Sequence, residues 1–430
     1  MTFNPYIIAH ICSFWQNRIL LPITFYAYNY VGIKSTFTCC HYYKYNLIVT
    51  EVITVGKIKL SRSTRIQLFL LLFSTIFIIA CVLSSSFSDW YTNNIFLIWV
   101  NTYGRFTSIF PFSFGEKLIF SGLILLIILC TFIIFTFLSF IFFVFKRHSW
   151  HGFNLPLFIK KYFRFISWVL TIVYLVMNLN CFSLYQCTQI SCSNSYTLEE
   201  LTLLRDHLVN KLNEYALTFD RDEAGNIIYD GDMESEARIS MQNLEGTFDR
   251  MSGFQVVPKT LDSSVLMSQQ YMQGYYFPFS MEANINGLMS IANKPFTMCH
   301  ELAHTRGYIF EDEANLIGFF ACINSEDTFF QYSGYLSMLN YVNNTFYKSV
   351  DTDTYNSHVK VSDLVWYDDK FLTDEAWEYV NSHAIFKTES VKKAADTFVD
   401  TTLKVNGVKE GMLSYNHVVD LILTYYDYTE

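Results

Sequence analysis

The sequence predicts a mainly α-helical membrane protein, with three transmembrane helices followed by a mostly helical domain that includes a small strand element. The 430 residues are 51% hydrophobic and only 16% charged, too apolar for an ordinary soluble protein. Three long uncharged runs crowd the amino-terminal part, and the charge divides sharply along the chain. Residues 1–196 carry 14 Lys/Arg against 3 Asp/Glu, and the rest of the chain carries 16 against 36. A basic, oily part therefore precedes an acidic, water-soluble one. So acidic a domain would repel phosphates, which excludes nucleic acid as a partner, while the first part calls for a lipid bilayer.

The expected membrane domain covers 65–185. Residues 66–88 are uncharged between Arg65 and Asp89, 118–145 between Lys117 and Lys146, and 165–185 follow Arg164 without a charge. Each run reaches the roughly 20 residues that a helix needs to cross the hydrocarbon core. The stretch "KRHSWHGFNLPLFIKKYFR" between the second and third runs has five Lys/Arg and no acid. By the excess of bases on cytoplasmic loops it belongs inside. Lys57, Lys59, Arg62 and Arg65 before the first run agree with that orientation. Residues 89–117 then form an outside loop, and everything after the third run lies outside the cytoplasm. The expected location is a multi-pass protein of the cell membrane with an extracytoplasmic carboxy-terminal domain.

Residues 1–64 form a segment of uncertain status. Its first 56 residues are rich in Tyr, Cys and Ile and show no signal-peptide pattern. Asn17, Arg18 and Pro22 make 7–28 a poor span, and a true start near Val49 or Val55 is expected. The ten cysteines have no zinc-ribbon spacing. Cys181, Cys187 and Cys192 cluster near the end of the third run, where oxidation is open to them, and Cys299 and Cys322 flank the motif described below.

The exterior domain is expected over 197–430. Thr197 followed by Glu200 is a capping-box pattern ahead of leucines at helical spacing. "MESEARISMQNLEGTFDRM" reads as a second helix. The stretch from Gly253 to Leu288 mixes β-prone residues with Pro and Gly and suggests short strands. Two helices joined by a tight turn follow, then a long helix over "DTFFQYSGYLSMLNYVNNTFY". A last amphipathic helix ends the chain.

The tight turn carries the chemistry: "CHELAHTRGYIFEDEAN", residues 299–315. His300 and His304 are four apart, so on a helix both imidazoles leave one face and can reach one tetrahedral zinc ion. Glu301 falls beside that ion without ligating it, placed to take a proton from a zinc-bound water and pass it to the leaving amine. Gly307 suits the left-handed residue that ends a helix, so the chain can turn back there. Glu311 then starts the next helix, where it could face the metal, with Asn315 one turn on as a partner for a ligand. Glu311, Asp312 and Glu313 would also serve simply as acids at a helix amino terminus. Glu311 is preferred over Glu313 as the third ligand, and the choice between them stays open.

This stretch resembles zincin metallopeptidases of the glutamate-ligand kind, which follow His-Glu-x-x-His with a downstream Glu-x-x-x-Asp. The resemblance implies His300, His304 and Glu311 as zinc ligands and Glu301 as general base. Asn315 stands where Asp is usual, and the gap from His304 to Glu311 is shorter than in most of that clan. The metzincin spacing would place the third ligand at Phe310, which has no donor atom. The blocks "GYYFPFSMEANIN", "HELAHTRGYIFEDEAN", "YSGYLSMLNYV" and "LKVNGVKEGMLSYNHVVDLIL" together resemble a family of bacterial membrane proteins common in Gram-positive groups. That family has an amino-terminal membrane part and an exterior zincin-like domain.

Other polar residues stand out in the same blocks. Tyr332, Tyr335, Tyr415 and His417 could each donate a hydrogen bond to the oxyanion of a peptide transition state, although a packed aromatic or a surface polar residue is the preferred reading of each. Glu282 and Arg306 are further candidates, Arg306 as an exposed salt-bridge partner. The expected function is a membrane-anchored, zinc-dependent metallohydrolase, a peptidase acting on a peptide or protein outside the cytoplasm. The alternatives are a zincin-like binding or sensing membrane protein without catalysis, and an intramembrane protease. The polar flanks of the motif count against the last.

Overall fold

Alternation of long apolar runs with amphipathic ones builds two kinds of helix in this chain. The computed structural model describes residues 60–146, 155–192, 196–406, 408 and 417–427. The segment with the proposed start sites, residues 147–154 of the basic loop and Tyr415 therefore fall outside the described residues. Three helices are long and apolar enough to cross a membrane: Arg62–Leu83, Phe114–Phe145 and Leu157–Phe182. The first and third run side by side, tied by Gln67 Nε2 donating to Ser167 Oγ (2.6 Å) and Thr171 Oγ1 (2.8 Å) and by Asn178 Nδ2 donating to Ser74 Oγ (2.7 Å). Each begins earlier than its uncharged run, because Arg62, Glu116 and Lys160 are accommodated in the end turns. The first stops at Leu83, where the extended Ser84 caps the next helix through the Phe87 N–H.

The chief departure from expectation lies in 89–117. Instead of a loop, residues 85–107 form a bridging helix in which α-turns alternate with two π-helical turns, Thr92–Phe96 and Val100–Gly104. Thr92, Phe96, Val100, Gly104 and Thr107 are buried at near-fourfold spacing, the period that mixed α- and π-turns produce. Phe96 and Val100 belong to the same hydrophobic cluster as Leu204, Leu208, Phe319 and Phe329 of the later domain. The boundary expected at Thr197 thus falls within one continuous core, and Leu60–Glu430 is one compact unit.

The domain is helical around a three-stranded sheet of order β1-β3-β2: β1 (Lys259–Thr260), β2 (Gly274–Phe277) and β3 (Glu282–Ile285). β1 runs parallel to β3, and β2 antiparallel to it with Gly274 opposite Ile285 and Phe277 opposite Glu282. The Thr197 capping box is formed, opening the helix Leu198–Ala216. The motif helix, Lys294–Thr305, starts on Pro295 in its first turn and lies against β2, β3 and the acidic helix Glu311–Ile323. The long helix Thr328–Ser349 backs both. All seven described cysteines, including Cys181, Cys187, Cys192, Cys299 and Cys322, are free thiols.

Candidate metal centre

The turn at Gly307 decides what meets what. Gly307 has φ +87°, and the Gly307 and Tyr308 amides donate back to the carbonyls of His304 (3.0 Å) and Ala303 (3.2 Å), closing the motif helix. A Cβ at Gly307 would stand 2.7 Å from Thr92 Cγ2, so the bridging helix packs directly on this turn. The chain reverses and starts the acidic helix at Glu311. Gly318 of that helix lies against His300, where a Cβ would be 3.2 Å from the backbone nitrogen, and so lets the two helices approach closely.

His300, His304 and Glu311 converge, each offering one ligand atom with all three atoms within 4.8 Å of one another. The two Nε2 atoms are 3.1 Å apart, and Glu311 Oε2 lies 3.2 Å from His300 Nε2 and 3.7 Å from His304 Nε2. His304 Nδ1 is 2.7 Å from the Tyr308 carbonyl oxygen, which accepts its N–H hydrogen bond, so that in the neutral imidazole Nε2 is the lone-pair donor towards the cluster. Glu313 faces away, accepting a hydrogen bond from the Ile190 amide at 2.6 Å. Of the two acids weighed from sequence, Glu311 is the one beside the imidazoles.

Glu301 is buried beneath β2. A Cβ on Gly274 would be 2.6 Å from its Oε1, and its Oε2 has no hydrogen-bond partner. Burial pushes Glu301 up to about 8, against the lowering effect of His304. Burial acts to lower His304, but Glu311 and Glu301 outweigh it and raise the imidazole to about 9. His300 is lowered, chiefly by burial. Burial also disfavours charge on Glu311, yet the two imidazoles hold it well below the usual carboxylate range. Such a set, two nitrogens and one carboxylate oxygen with a buried acid alongside, fits the donor preference of zinc with an open fourth position.

The cluster opens into a cleft of about 610 Å³. Asn315 lines it beside His300, with its buried Nδ2 unpaired. The described ones among the other residues expected to steady a transition state lie elsewhere. Tyr332 is buried in the core and donates its hydroxyl to Asp368 (2.6 Å), and Tyr335 pairs with Tyr426 (3.0 Å). His417 is exposed and is not among the cleft-lining residues. The tyrosines that line the cleft are Tyr271, Tyr275 and Tyr341. Only Gly274 signalled this wall in advance, as a glycine inside a strand pattern marks a close approach. Arg306 is no surface ion pair. It is fully buried, its guanidinium donating to the carbonyls of Arg250, Ser252 and Phe254.

Residues 91–423 match the DUF3810 family, described as a protein of unknown function. The chain belongs to this family. The match starts at Tyr91, inside the bridging helix, and runs through the motif to the last helix, so it takes in two apolar helices together with His300, His304 and Glu311. No curated protein and no solved structure matches the chain.

Proposed function

We propose that this DUF3810 chain is a membrane-anchored, zinc-dependent hydrolase with peptidase action, its zincin-like domain lying outside the cytoplasm. The observation that carries the reading is the convergence of His300 Nε2, His304 Nε2 and a Glu311 oxygen within 4.8 Å in a cleft that Glu301 also lines. The orientation rests on the basic loop between the second and third apolar helices.

His300, His304 and Glu311 would hold the ion, which supplies Lewis acidity towards a substrate carbonyl. Glu301, with Oε2 unpaired and its basicity raised by burial, takes the proton of the attacking water and returns it to the leaving amine. The Tyr308 carbonyl fixes the His304 tautomer, and Asn315 lines the cleft beside His300 with an amide nitrogen free to meet a ligand or substrate. The motif helix is not one of the three apolar helices, which sets this reading apart from intramembrane proteolysis.

Metal analysis of the full chain in detergent tests the proposal. About one zinc per chain is expected for the wild type and Glu301→Gln, and none for His304→Ala. Peptide hydrolysis should fall roughly 10²–10⁴-fold in Glu301→Gln. A wild type that binds no zinc overturns the reading, and hydrolysis indifferent to Glu301 removes the catalytic part.

A further inference from the structure

We infer that the cleft acts on polypeptide segments lying just outside a membrane span, that is, on the membrane-proximal stretch of another membrane-anchored protein. This rests on the hydrolase reading above and names its substrate class. Its basis is the way the domain is seated. The domain is tied to the ends of the second and third apolar helices, and each tie lies on an element that borders the cleft.

At the second apolar helix, Glu282 of β3 accepts hydrogen bonds from the backbone amides of Phe114 (3.0 Å) and Gly115 (2.7 Å), the unsatisfied donors of the helix start. Glu116 answers by accepting from the Ser263 amide at 2.7 Å. Gly115 packs so tightly on Phe277 that a Cβ would stand 2.6 Å from its ring. β2 joins this point to the chemistry, with Phe277 against the helix and Gly274 against Glu301. Those three residue steps span about 10 Å. The uncharged run begins at Leu118, one turn below. Glu301 therefore lies within about 20 Å of the lipid-crossing stretch.

The third apolar helix reaches the other side of the site. Asn180 donates to the Pro278 carbonyl (3.0 Å), and its own carbonyl accepts from the Tyr276 hydroxyl (3.2 Å). Tyr185, three residues past this helix, packs edge-on against Phe310 at 5.7 Å, and Phe310 immediately precedes Glu311.

The bridging helix completes the seat. One face is buried in the domain, and the other exposes Trp90, Ile98, Trp99, Phe106 and Ile109. Its start follows the first apolar helix after Ser84 alone and its end precedes the second by the short turn 108–113, so the surface that covers this face is the bilayer those helices enter, and tryptophans are favoured at that depth. An extended chain advances about 3.3 Å per residue, so a chain needs no more than about six residues beyond its span to reach Glu301. A freely diffusing peptide gains nothing from this seat, whereas an anchored one is concentrated at it.

The test uses the full chain in liposomes with zinc and three pooled libraries of unstructured ten-residue segments. One is free, one directly follows a single-span anchor, and one is held off the same anchor by a 20-residue proline-rich spacer of about 60 Å. Cuts within the first ten residues outside the anchor, at least about tenfold faster than in the other two libraries and absent in Glu301→Gln, are expected. Equal cutting of free or spaced segments overturns the inference and leaves the hydrolase standing, whereas no cutting of any library brings down both. A second readout needs no turnover. Copper(II) bound in place of zinc should strongly relax headgroup-labelled spin lipids, with His304→Ala as blank. A metal-to-headgroup separation beyond about 40 Å, twice the reach argued above, overturns the seat.

Discussion

At the scale of single residues, the reading turns on which acid meets the two imidazoles. Glu311 and Glu313 are two positions apart on one helix, so their side chains leave it about 200° apart. Glu311→Gln should lower zinc affinity by at least about tenfold, the size of effect that even outer-shell changes produce. Glu313→Gln should leave it within about threefold, because Glu313 serves only the Ile190 amide. Zinc titration against a competing chelator separates the two, and equal losses would show that the cluster is assembled differently. The pair His300 and His304 with Glu301 between them was legible in the sequence, since a helix turns four-residue spacing into one face. Glu311 was preferred there but not settled against Glu313, because that choice depends on the residue at which the second helix starts. Tyr332 misleads for a related reason: its partner Asp368 lies 36 positions on, beyond any local pattern.

Among the elements, β2 positions Glu301, the proposed general base, and the bridging helix closes the core. Gly274→Ala would drive a methyl to 2.6 Å from Glu301 Oε1 and 2.8 Å from the Asn284 carbonyl, neither of which can yield freely. Zinc content should be unchanged while hydrolysis falls about 100-fold, the cost of an ångström of misplacement. Unchanged turnover would mean that Glu301 is not the base. The Thr197 cap, the motif helix, the Gly307 turn and the short strands were all readable, because capping, periodicity and turn chemistry act within a few residues. The bridging helix was not. Its apolar positions recur near every fourth residue and are interrupted by Asn93, Asn94, Asn101 and Thr102, so neither a 3.6-residue stripe nor an unbroken apolar run appears.

For the whole molecule, the charge division along the chain announced an oily part and an acidic part but hid how deeply they interlock. A fragment of residues 197–430 lacks Phe96, Val100 and the Thr92 contact on the Gly307 turn. Truncating one buried Phe typically costs about 3–5 kcal/mol, a large share of a typical stability of about 5–15 kcal/mol. The fragment should therefore show no cooperative thermal transition and weak near-ultraviolet dichroism, whereas a chain starting at residue 60 melts as one unit. A sharp melt for the fragment would show that the interlock is dispensable.

The carboxylate of Glu282 also imposes an order of events during synthesis. It satisfies the start of a helix made 168 positions earlier, so all three apolar helices leave the ribosome before the residue that finishes the second one exists. Until β3 arrives, the amides of Phe114 and Gly115 must be satisfied by water, which keeps the top of that helix at the wet boundary. Closing so long a loop is slow, so the three apolar helices are complete well before the cleft can assemble.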